Sequence, residues 1–306
     1  MEKANEQTAL QASQSLVPSL GALDRSRAIA KSTAKRGIDV YFAAKCSLLR
    51  AFGIIDFPVP PNHCLRRTSS LTIRHYFESG ITTMMPIMTA ARMYGVDLDQ
   101  PVNVLDFGCG VARQLLQLTR NYPNVHARAC DAHPDNVRYI RRAFPNVDSY
   151  ANSFDPPLKY ADNTFDLVYS VSTFSHFSFE DAKLWLKELR RITAPDGLLC
   201  LTFNSYTSLD WSHKRGYVVE YTAERLKKDE FWYSVDEAAW YKRKAEEAVS
   251  SFGSNTAGAT RPTGDMFFSP EYMRTFVESA GLKLEAIAPG VIDRMQDLAV
   301  IRKPRA

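Results

Sequence analysis

The stretch "VLDFGCGVA", Val104–Ala112, places an aspartate and two glycines directly after a run of aliphatic residues. "VNVLDFG" has the composition of a buried strand, and the following "ARQLLQLTRNY" has the apolar spacing of a helix. Glycines at a strand-to-helix turn let the backbone approach a ligand closely. We therefore predict that this turn binds a ligand.

The alternation of strand and helix patterns continues on the C-terminal side of this turn. Ser178 and Asp181 form a capping-box pattern at the start of one helix. Ser269 and Pro270 suit the N-cap and first turn of another, and Gly281 suits its end. Strands that alternate with single helices form a parallel sheet covered on both faces. The further strands are "VHARACD", "VDSYANS", "FDLVYSVS" and "LLCLTF".

The last two strand patterns predict a reversal of direction. "LKLEAIA" and "LAVIRK" are joined by a short segment through Pro289 and Gly290, which is too short for a helical crossover. The last strand should therefore run antiparallel to its neighbours. The predicted fold class is α/β: a doubly wound, Rossmann-like, seven-stranded sheet with an antiparallel last strand, N-terminal helices and a helical insertion after strand 5.

The same patterns divide the chain into segments. We expect a disordered tail over residues 1–24 and an N-terminal helical extension over 25–100, with two helical pieces that meet at Ser79-Gly80. The sheet domain should span residues 101–306 and contain the insertion, residues 205–268.

The insertion has the pattern of a long helix with four aromatic residues close together. Because it follows the fifth strand, it should hang over the carboxyl edge of the sheet and act as a lid on the ligand. A dimer interface is the alternative interpretation of its aromatic residues. These residues are Trp232, Tyr233, Trp240 and Tyr241.

Composition restricts the class of partner. The chain has 306 residues, 45% of them hydrophobic, and a formal net charge of +4, so neither a nucleic acid nor a membrane partner is indicated. Five cysteines without a CxxC pair disfavour a disulfide framework and a zinc site. We expect a cytoplasmic monomer or homodimer, although the basic residues 25–36 leave an organelle-targeting segment open.

The residues around the glycines discriminate between two classes of ligand. Dinucleotide sites use G-x-G-x-x-G, and Gly108 and Gly110 match its first two positions, but Arg113 stands at the third. Asp106, two residues ahead of Gly108, would repel a phosphate. A ligand with a positively charged amino group would instead be attracted. The pattern therefore favours such a cation over a dinucleotide.

"VLDFGCGVA" resembles the first motif, D/E-x-G-x-G-x-G, of the class I S-adenosylmethionine-dependent methyltransferases. Ala112 replaces the last glycine, which we expect to matter little because alanine excludes only positive φ. Asp131 ends the second strand 25 residues after Asp106, at the family's ribose-binding position. "ANSFDPPL" follows the third strand at its adenine-binding position, and "NTFDLVYSVSTFSHF" resembles its fourth strand. The similarity is close over residues 101–204 and looser over 269–304.

The resemblance implies S-adenosylmethionine as the cofactor and a small-molecule acceptor as the substrate. It implies methyl transfer to an oxygen, nitrogen or sulfur atom by in-line displacement. A non-catalytic binding or regulatory protein and an aminopropyl-type transferase are the alternatives. The implied cofactor-binding residues are Asp106, Gly108, Gly110, Asp131, Ala132, Asn152, Ser153 and Ser170.

Simpler roles stay open for several of these residues. Asp106 would also suit a cap on the next helix, and Asp131 a favourable charge at a helix N-terminus. Asn152 would suit an ordinary turn, and Arg113 a surface salt bridge.

His176, in "STFSHF" after the fourth strand, is the candidate general base, because imidazole titrates near neutral pH. Packing beneath the substrate or a hydrogen bond to the loop is the alternative role. No acidic cluster suited to Mg²⁺ is visible near the fourth and fifth strands, so we predict no metal site.

Overall fold

The computed structural model describes residues 37–67, 72–214, 223–234 and 264–305. The chain divides into two compact units, residues 1–63 and 64–306. In the first unit, helix α1 spans residues 37–51. The side-chain amide of Asn62 donates a hydrogen bond of 3.1 Å to the Asp39 carboxylate. Helix α2 (Asn62–Arg67) follows. None of the helices in the described ranges combines the length and the apolar composition needed to cross a bilayer.

The second unit is built on a seven-stranded sheet in the order β3-β2-β1-β4-β5-β9-β8. The first five strands are parallel to one another, whereas β9 runs antiparallel to both β5 and β8. The predicted fold class and the reversed last strand are confirmed. The connection between the last two strands lies at residues 293–295, because Pro289 and Gly290 belong to β8. The strands are β1 (Asn103–Phe107), β2 (His126–Asp131), β3 (Asp148–Ala151), β4 (Phe165–Ser170), β5 (Thr193–Phe203), β8 (Lys283–Ile292) and β9 (Gln296–Arg302).

The helices of this unit begin where local sequence signals place them. Ser178 accepts a hydrogen bond from the Asp181 amide, and Ser269 accepts one from the Tyr272 amide. Pro134 occupies the first turn of its helix, where its missing N–H breaks no hydrogen bond. The helices are α3 (Ile73–Met93), α4 (Arg113–Asn121), α5 (Pro134–Ala143), α6 (Phe179–Ile192) and α9 (Pro270–Ser279).

Helix α3 is continuous, so the predicted break at Ser79-Gly80 is wrong. The Ser79 hydroxyl donates to the His75 carbonyl at 2.6 Å, within the helix. Gly80 lies against the first turn of α4, and a Cβ atom there would be 2.5 Å from the Arg113 carbonyl oxygen. Gly80 is therefore a close-packing residue, and α3 lies directly on the helix that follows the glycine turn.

In its described residues, the insertion differs from the predicted long helix, and residues 235–263 of the predicted stretch lie outside the described ranges. It contains α7 (Tyr206–Lys214), α8 (Ala223–Asp229) and a separate antiparallel pair, β6 (Phe231–Ser234) and β7 (Asp265–Phe268). Trp232 lies on β6 and stacks on Phe267 of β7, with ring centroids 5.1 Å apart. The helical prediction fails because aromatic residues also suit a strand when a partner strand covers them. Trp240 and Tyr241 lie outside the described residues.

The insertion is joined to the main sheet at the end of β5. The Phe268 amide donates to the Asn204 carbonyl at 2.9 Å, and Asn204 also forms a bridge with Phe267. Met266, Phe267 and Phe268 are completely or almost completely buried. Strand β7 is therefore fixed at the carboxyl edge of the sheet.

Candidate functional site

The glycine turn after β1 is held by the neighbouring strand. The amides of Gly108 and Cys109 both donate to the Cys130 carbonyl, at 2.9 and 3.0 Å. Gly108 has φ +72°, and the Thr173 side chain occupies the place that a Cβ atom of Gly108 would take. Glycine is therefore required at position 108 both by the backbone conformation and by the contact with the loop after β4.

Ala112 adopts the left-handed conformation, with φ +61° and ψ +32°. This is the conformation that alanine disfavours, so the expectation that alanine matters little here is wrong. The left-handed region costs a non-glycine residue roughly 1–2 kcal/mol. The turn into α4 is therefore strained at a fully buried position.

Asp106 is a buried carboxylate at the end of β1. The residue is 3% exposed, and its Oδ2 atom has no hydrogen-bond partner. Burial raises the pKa of this carboxyl to about 7; the nearby Asp131 charge also raises it, while Tyr169 and Arg113 lower it. Helix α4 begins after Ala112 without a side-chain cap, so Asp106 does not cap that helix. A buried acid with one oxygen atom left without a hydrogen-bond partner is suited to a cationic ligand.

Asp131 is already hydrogen-bonded through both carboxylate oxygens. Oδ2 accepts from the Gly110 amide at 2.8 Å, and Oδ1 accepts from the His133 amide at 2.7 Å and from Asn136 Nδ2 at 3.1 Å. An ionised carboxylate accepts about four hydrogen bonds, so roughly one site stays open. These contacts support the interpretation of Asp131 as an acid at the start of a helix. A ribose hydroxyl would have to bind this carboxylate alongside them.

The other predicted cofactor residues lie at the same edge of the sheet. The Asn152 amide donates to the Asp131 carbonyl at 3.2 Å, and its Nδ2 atom donates to the Ser153 carbonyl at 2.7 Å. Asn152 Oδ1 is buried without a partner. Ser170, at the end of β4, is fully buried, and its hydroxyl has no partner. Ala132 is half-buried beside Asp131, and Ser153 is exposed.

His176 lies in a short 3-10 helix (Phe174–His176) after β4. Its side chain is 52% exposed, whereas that of Asp265 is 5% exposed. Its Nδ1 atom is 3.2 Å from the Gly264 carbonyl oxygen and 3.4 Å from Asp265 Oδ1. Asp265 was not found from the sequence, because it lies 89 residues away and no local motif links it to His176.

A buried amide on the last strand ties the loop after β4 to the sheet. Gln296 Oε1 accepts from Ser172 Oγ at 2.9 Å and from Thr202 Oγ1 at 3.0 Å. Gln296 Nε2 donates to Asn204 Oδ1 at 3.0 Å. The loop that carries Thr173 and the 3-10 helix is therefore held in place from β9.

Arg113 is half-buried at the first position of α4. Burial lowers the pKa of its guanidinium, while the charges of Asp293, Tyr76 and Asp106 act in the opposite direction. No acid of the described ranges lies within ion-pair distance, so the predicted surface salt bridge is not found there. In the same ranges, no group of three or more His, Cys, Asp or Glu residues is arranged to hold a metal ion.

Comparison with known proteins identifies the part of the chain that contains the glycine turn. Residues 104–197 match the family described as "Methyltransferase domain". This match supports the resemblance to the class I S-adenosylmethionine-dependent methyltransferases. The cofactor of that family, S-adenosylmethionine, bears a positively charged amino group and a sulfonium. The buried Asp106 carboxylate, whose Oδ2 atom has no hydrogen-bond partner, fits this cation. A pyrophosphate at the same turn would face both Asp106 and Asp131.

Curated relatives are similar to the methyltransferase domain over part of their length. The chain is 31% identical over 109 residues to an uncharacterized methyltransferase-like protein of Schizosaccharomyces pombe, covering 35% of this chain and 40% of that protein. It is 32% identical over 159 residues to the malonyl-[acyl-carrier protein] O-methyltransferase of Halorhodospira halophila, covering 47% and 49%. It is 25% identical over 145 residues to the norajmaline N-methyltransferase of Rauvolfia serpentina, covering 46% and 45%. The chain thus matches less than half the length of each of these relatives.

Among solved structures, the chain is similar to the 1,6-didemethyltoxoflavin-N1-methyltransferase of Burkholderia thailandensis. The TM-score is 0.48 at 13% sequence identity, and the superposition covers 82% of this chain and 94% of that protein.

Proposed function

We propose that this protein transfers the methyl group of S-adenosylmethionine to an oxygen, nitrogen or sulfur atom of a small-molecule acceptor. The observation that carries the proposal is the buried Asp106 carboxylate, whose Oδ2 atom has no hydrogen-bond partner, beneath a glycine turn that matches a methyltransferase domain. Two of the similar relatives are named for O- and N-methylation, and both atom types are compatible with the proposal.

Four strand ends would share the cofactor. Asp106 would accept from its amino group, and the backbone of Gly108 and Gly110 would lie along its methionine part. Asp131 would accept from a ribose hydroxyl through its remaining open site. Ser170, at the end of β4, would line the wall beside the cofactor. The adenine end would lie beside Ala132, Asn152 and Ser153.

Methyl transfer from a sulfonium is an in-line displacement on an activated donor, so orientation is the main task of the protein. Such orientation supplies roughly 7–11 kcal/mol in favourable cases. His176 would take the proton of an acceptor that must lose one, a contribution of typically about 10²–10⁴-fold. The insertion, fixed at the end of β5 through Asn204, would keep water away from this edge.

Isothermal titration calorimetry tests the binding part of the proposal. We expect S-adenosylmethionine and S-adenosylhomocysteine to bind and NAD not to bind. D106N should weaken the binding of S-adenosylmethionine at least tenfold, roughly the value of a charge-assisted hydrogen bond. D210N is the matched control, because Asp210 is exposed and pairs with Lys214 on α7.

Binding of NAD without binding of S-adenosylmethionine would contradict the proposal. Release of S-adenosylhomocysteine in the presence of hydroxyl, amine and thiol acceptors tests turnover. Cofactor binding without turnover for any acceptor class would favour a regulatory protein, and transfer of an aminopropyl group from decarboxylated S-adenosylmethionine would favour the other alternative.

A further inference from the structure

We propose that Asp265, a residue of the insertion, positions His176 as the base of the methyl-transfer reaction. The proposal rests on the function proposed above. It gives the insertion a second role, because the insertion would complete the catalytic group as well as cover it.

The contacts of Nδ1 decide which nitrogen of His176 carries the proton. The Gly264 carbonyl oxygen, 3.2 Å away, can only accept a hydrogen bond. The Asp265 carboxylate, 3.4 Å away, is also an acceptor when it is ionised. Both contacts are attractive when Nδ1 carries the hydrogen. The neutral imidazole then has its lone pair on Nε2, the nitrogen that can take a proton from an acceptor.

The difference in burial between the two side chains gives the pair its direction. Asp265 is 5% exposed and His176 is 52% exposed, so the carboxylate acts on the imidazole from the protein side. A carboxylate in this place stabilises the imidazolium and makes Nε2 a stronger base. His176 itself is placed by its amide, which donates to the Thr173 carbonyl at 3.0 Å, and Thr173 touches the glycine turn.

Among the described elements that pack against the 3-10 helix, β7 places a charged residue, Asp265, beside His176. Strands β7 and β5 are the elements that pack most extensively against the 3-10 helix. The titratable residues of β5 are Asp196, which pairs with Arg305 at the opposite end of the strand, and Cys200, which is fully buried in the sheet. The segment 173–178 contains no charged residue other than His176.

The proposed step balances without a further reactant. His176 Nε2 accepts the proton as the hydrogen–heteroatom bond of the acceptor breaks. The freed electron pair forms the new bond to the methyl carbon, and the electrons of the sulfur–methyl bond stay on sulfur. The products are the methylated acceptor, S-adenosylhomocysteine and an imidazolium held by Asp265, which later releases its proton to water.

The test is a long-range ¹H–¹⁵N NMR titration of the full chain labelled with ¹⁵N-histidine. The chain has six histidines, and H176Q assigns the relevant signal. In the wild-type protein we expect the neutral imidazole of His176 to be protonated on Nδ1. In D265N its proton affinity should fall about tenfold, the typical effect of losing a nearby opposite charge. D265E should retain part of this affinity, and D210N should leave the titration unchanged.

An Nε2-protonated wild-type imidazole, or the same titration midpoint in D265N, would overturn the proposal. If D265N does not fold, the wild-type tautomer and the D265E titration decide. Calorimetry of the wild-type protein with S-adenosylhomocysteine is done in parallel. Absence of binding would refute the proposed function, whereas the NMR signals report on the His176–Asp265 pair in either case.

Discussion

At the scale of single residues, the site holds a buried charge at Asp106 and backbone strain at Ala112. The folded-state pKa of Asp106, about 7, lies above its unfolded value near 3.8. The folded, cofactor-free protein therefore binds this proton more tightly, and its stability falls as the pH rises through the window between these two values. At about 1.4 kcal/mol for each pH unit, the loss is of the order of 4 kcal/mol.

D106N removes this buried charge, so it should stabilise the cofactor-free protein by about 1–3 kcal/mol at pH 8. The same substitution removes the partner of the cofactor's amino group. Thermal melts at pH 8 and pH 5 measure the first effect. The difference between variant and wild type should shrink at pH 5, because Asp106 is then protonated in the folded wild-type protein. Equal differences at both pH values would contradict the raised pKa.

Ala112 carries the strain of the same turn. A112G should relieve roughly 1–2 kcal/mol of backbone strain. It also raises the conformational entropy of the unfolded chain, which lowers stability by about 0.4–1 kcal/mol, so we expect a net stabilisation of about 0.5 kcal/mol. A143G, at the end of α5, is the matched control and should destabilise by about 0.5–1 kcal/mol. Chemical denaturation of both variants measures the sign of each change in the free energy of unfolding. A loss of stability in A112G as large as in A143G would contradict the strain.

At the scale of elements, the sequence predicts what neighbouring residues determine and misses what distant residues determine. Ser178 and Ser269 were found because a helix N-cap needs only the next three residues. The break at Ser79-Gly80 and the helix through Trp232 were wrong because their partners, Arg113 and Phe267, lie more than 30 residues away. Asp265 was missed for the same reason.

The packing of α3 on α4 predicts an inverted effect for a helix glycine. Glycine to alanine in a helix interior ordinarily stabilises by about 1 kcal/mol. G80A should instead destabilise by about 1–3 kcal/mol, because its Cβ atom would meet the Arg113 carbonyl oxygen. G37A is the control, since a Cβ atom at Gly37 meets nothing within 4 Å, and it should leave stability unchanged or raise it. Thermal unfolding of the two variants checks this; a stabilised G80A would show that the helices do not touch there.

At the scale of the whole molecule, one amide connects the last strand of the sheet to the loop at the site. The parallel sheet and its reversed last strand followed from connectivity, since strands that alternate with single helices run parallel and a short connection reverses the direction. Connectivity did not show that Gln296 on β9 holds Ser172, Thr202 and Asn204 together. Through that loop, the hairpin at the end of the chain supports Thr173 and the glycine turn that Thr173 covers.

Q296A should therefore affect both stability and cofactor binding. It removes a hydrogen-bond partner of Ser172, Thr202 and Asn204, of which the last two are buried, and we expect a loss of about 2–4 kcal/mol in the free energy of unfolding. With the loop less restrained, Thr173 should cover Gly108 less firmly, and the affinity for S-adenosylhomocysteine should fall about tenfold or more. Denaturant titration and calorimetry measure the two effects, with Q100A as an exposed control that should change neither. A stability loss with unaltered affinity would mean that the glycine turn keeps its binding conformation without support from the last strand.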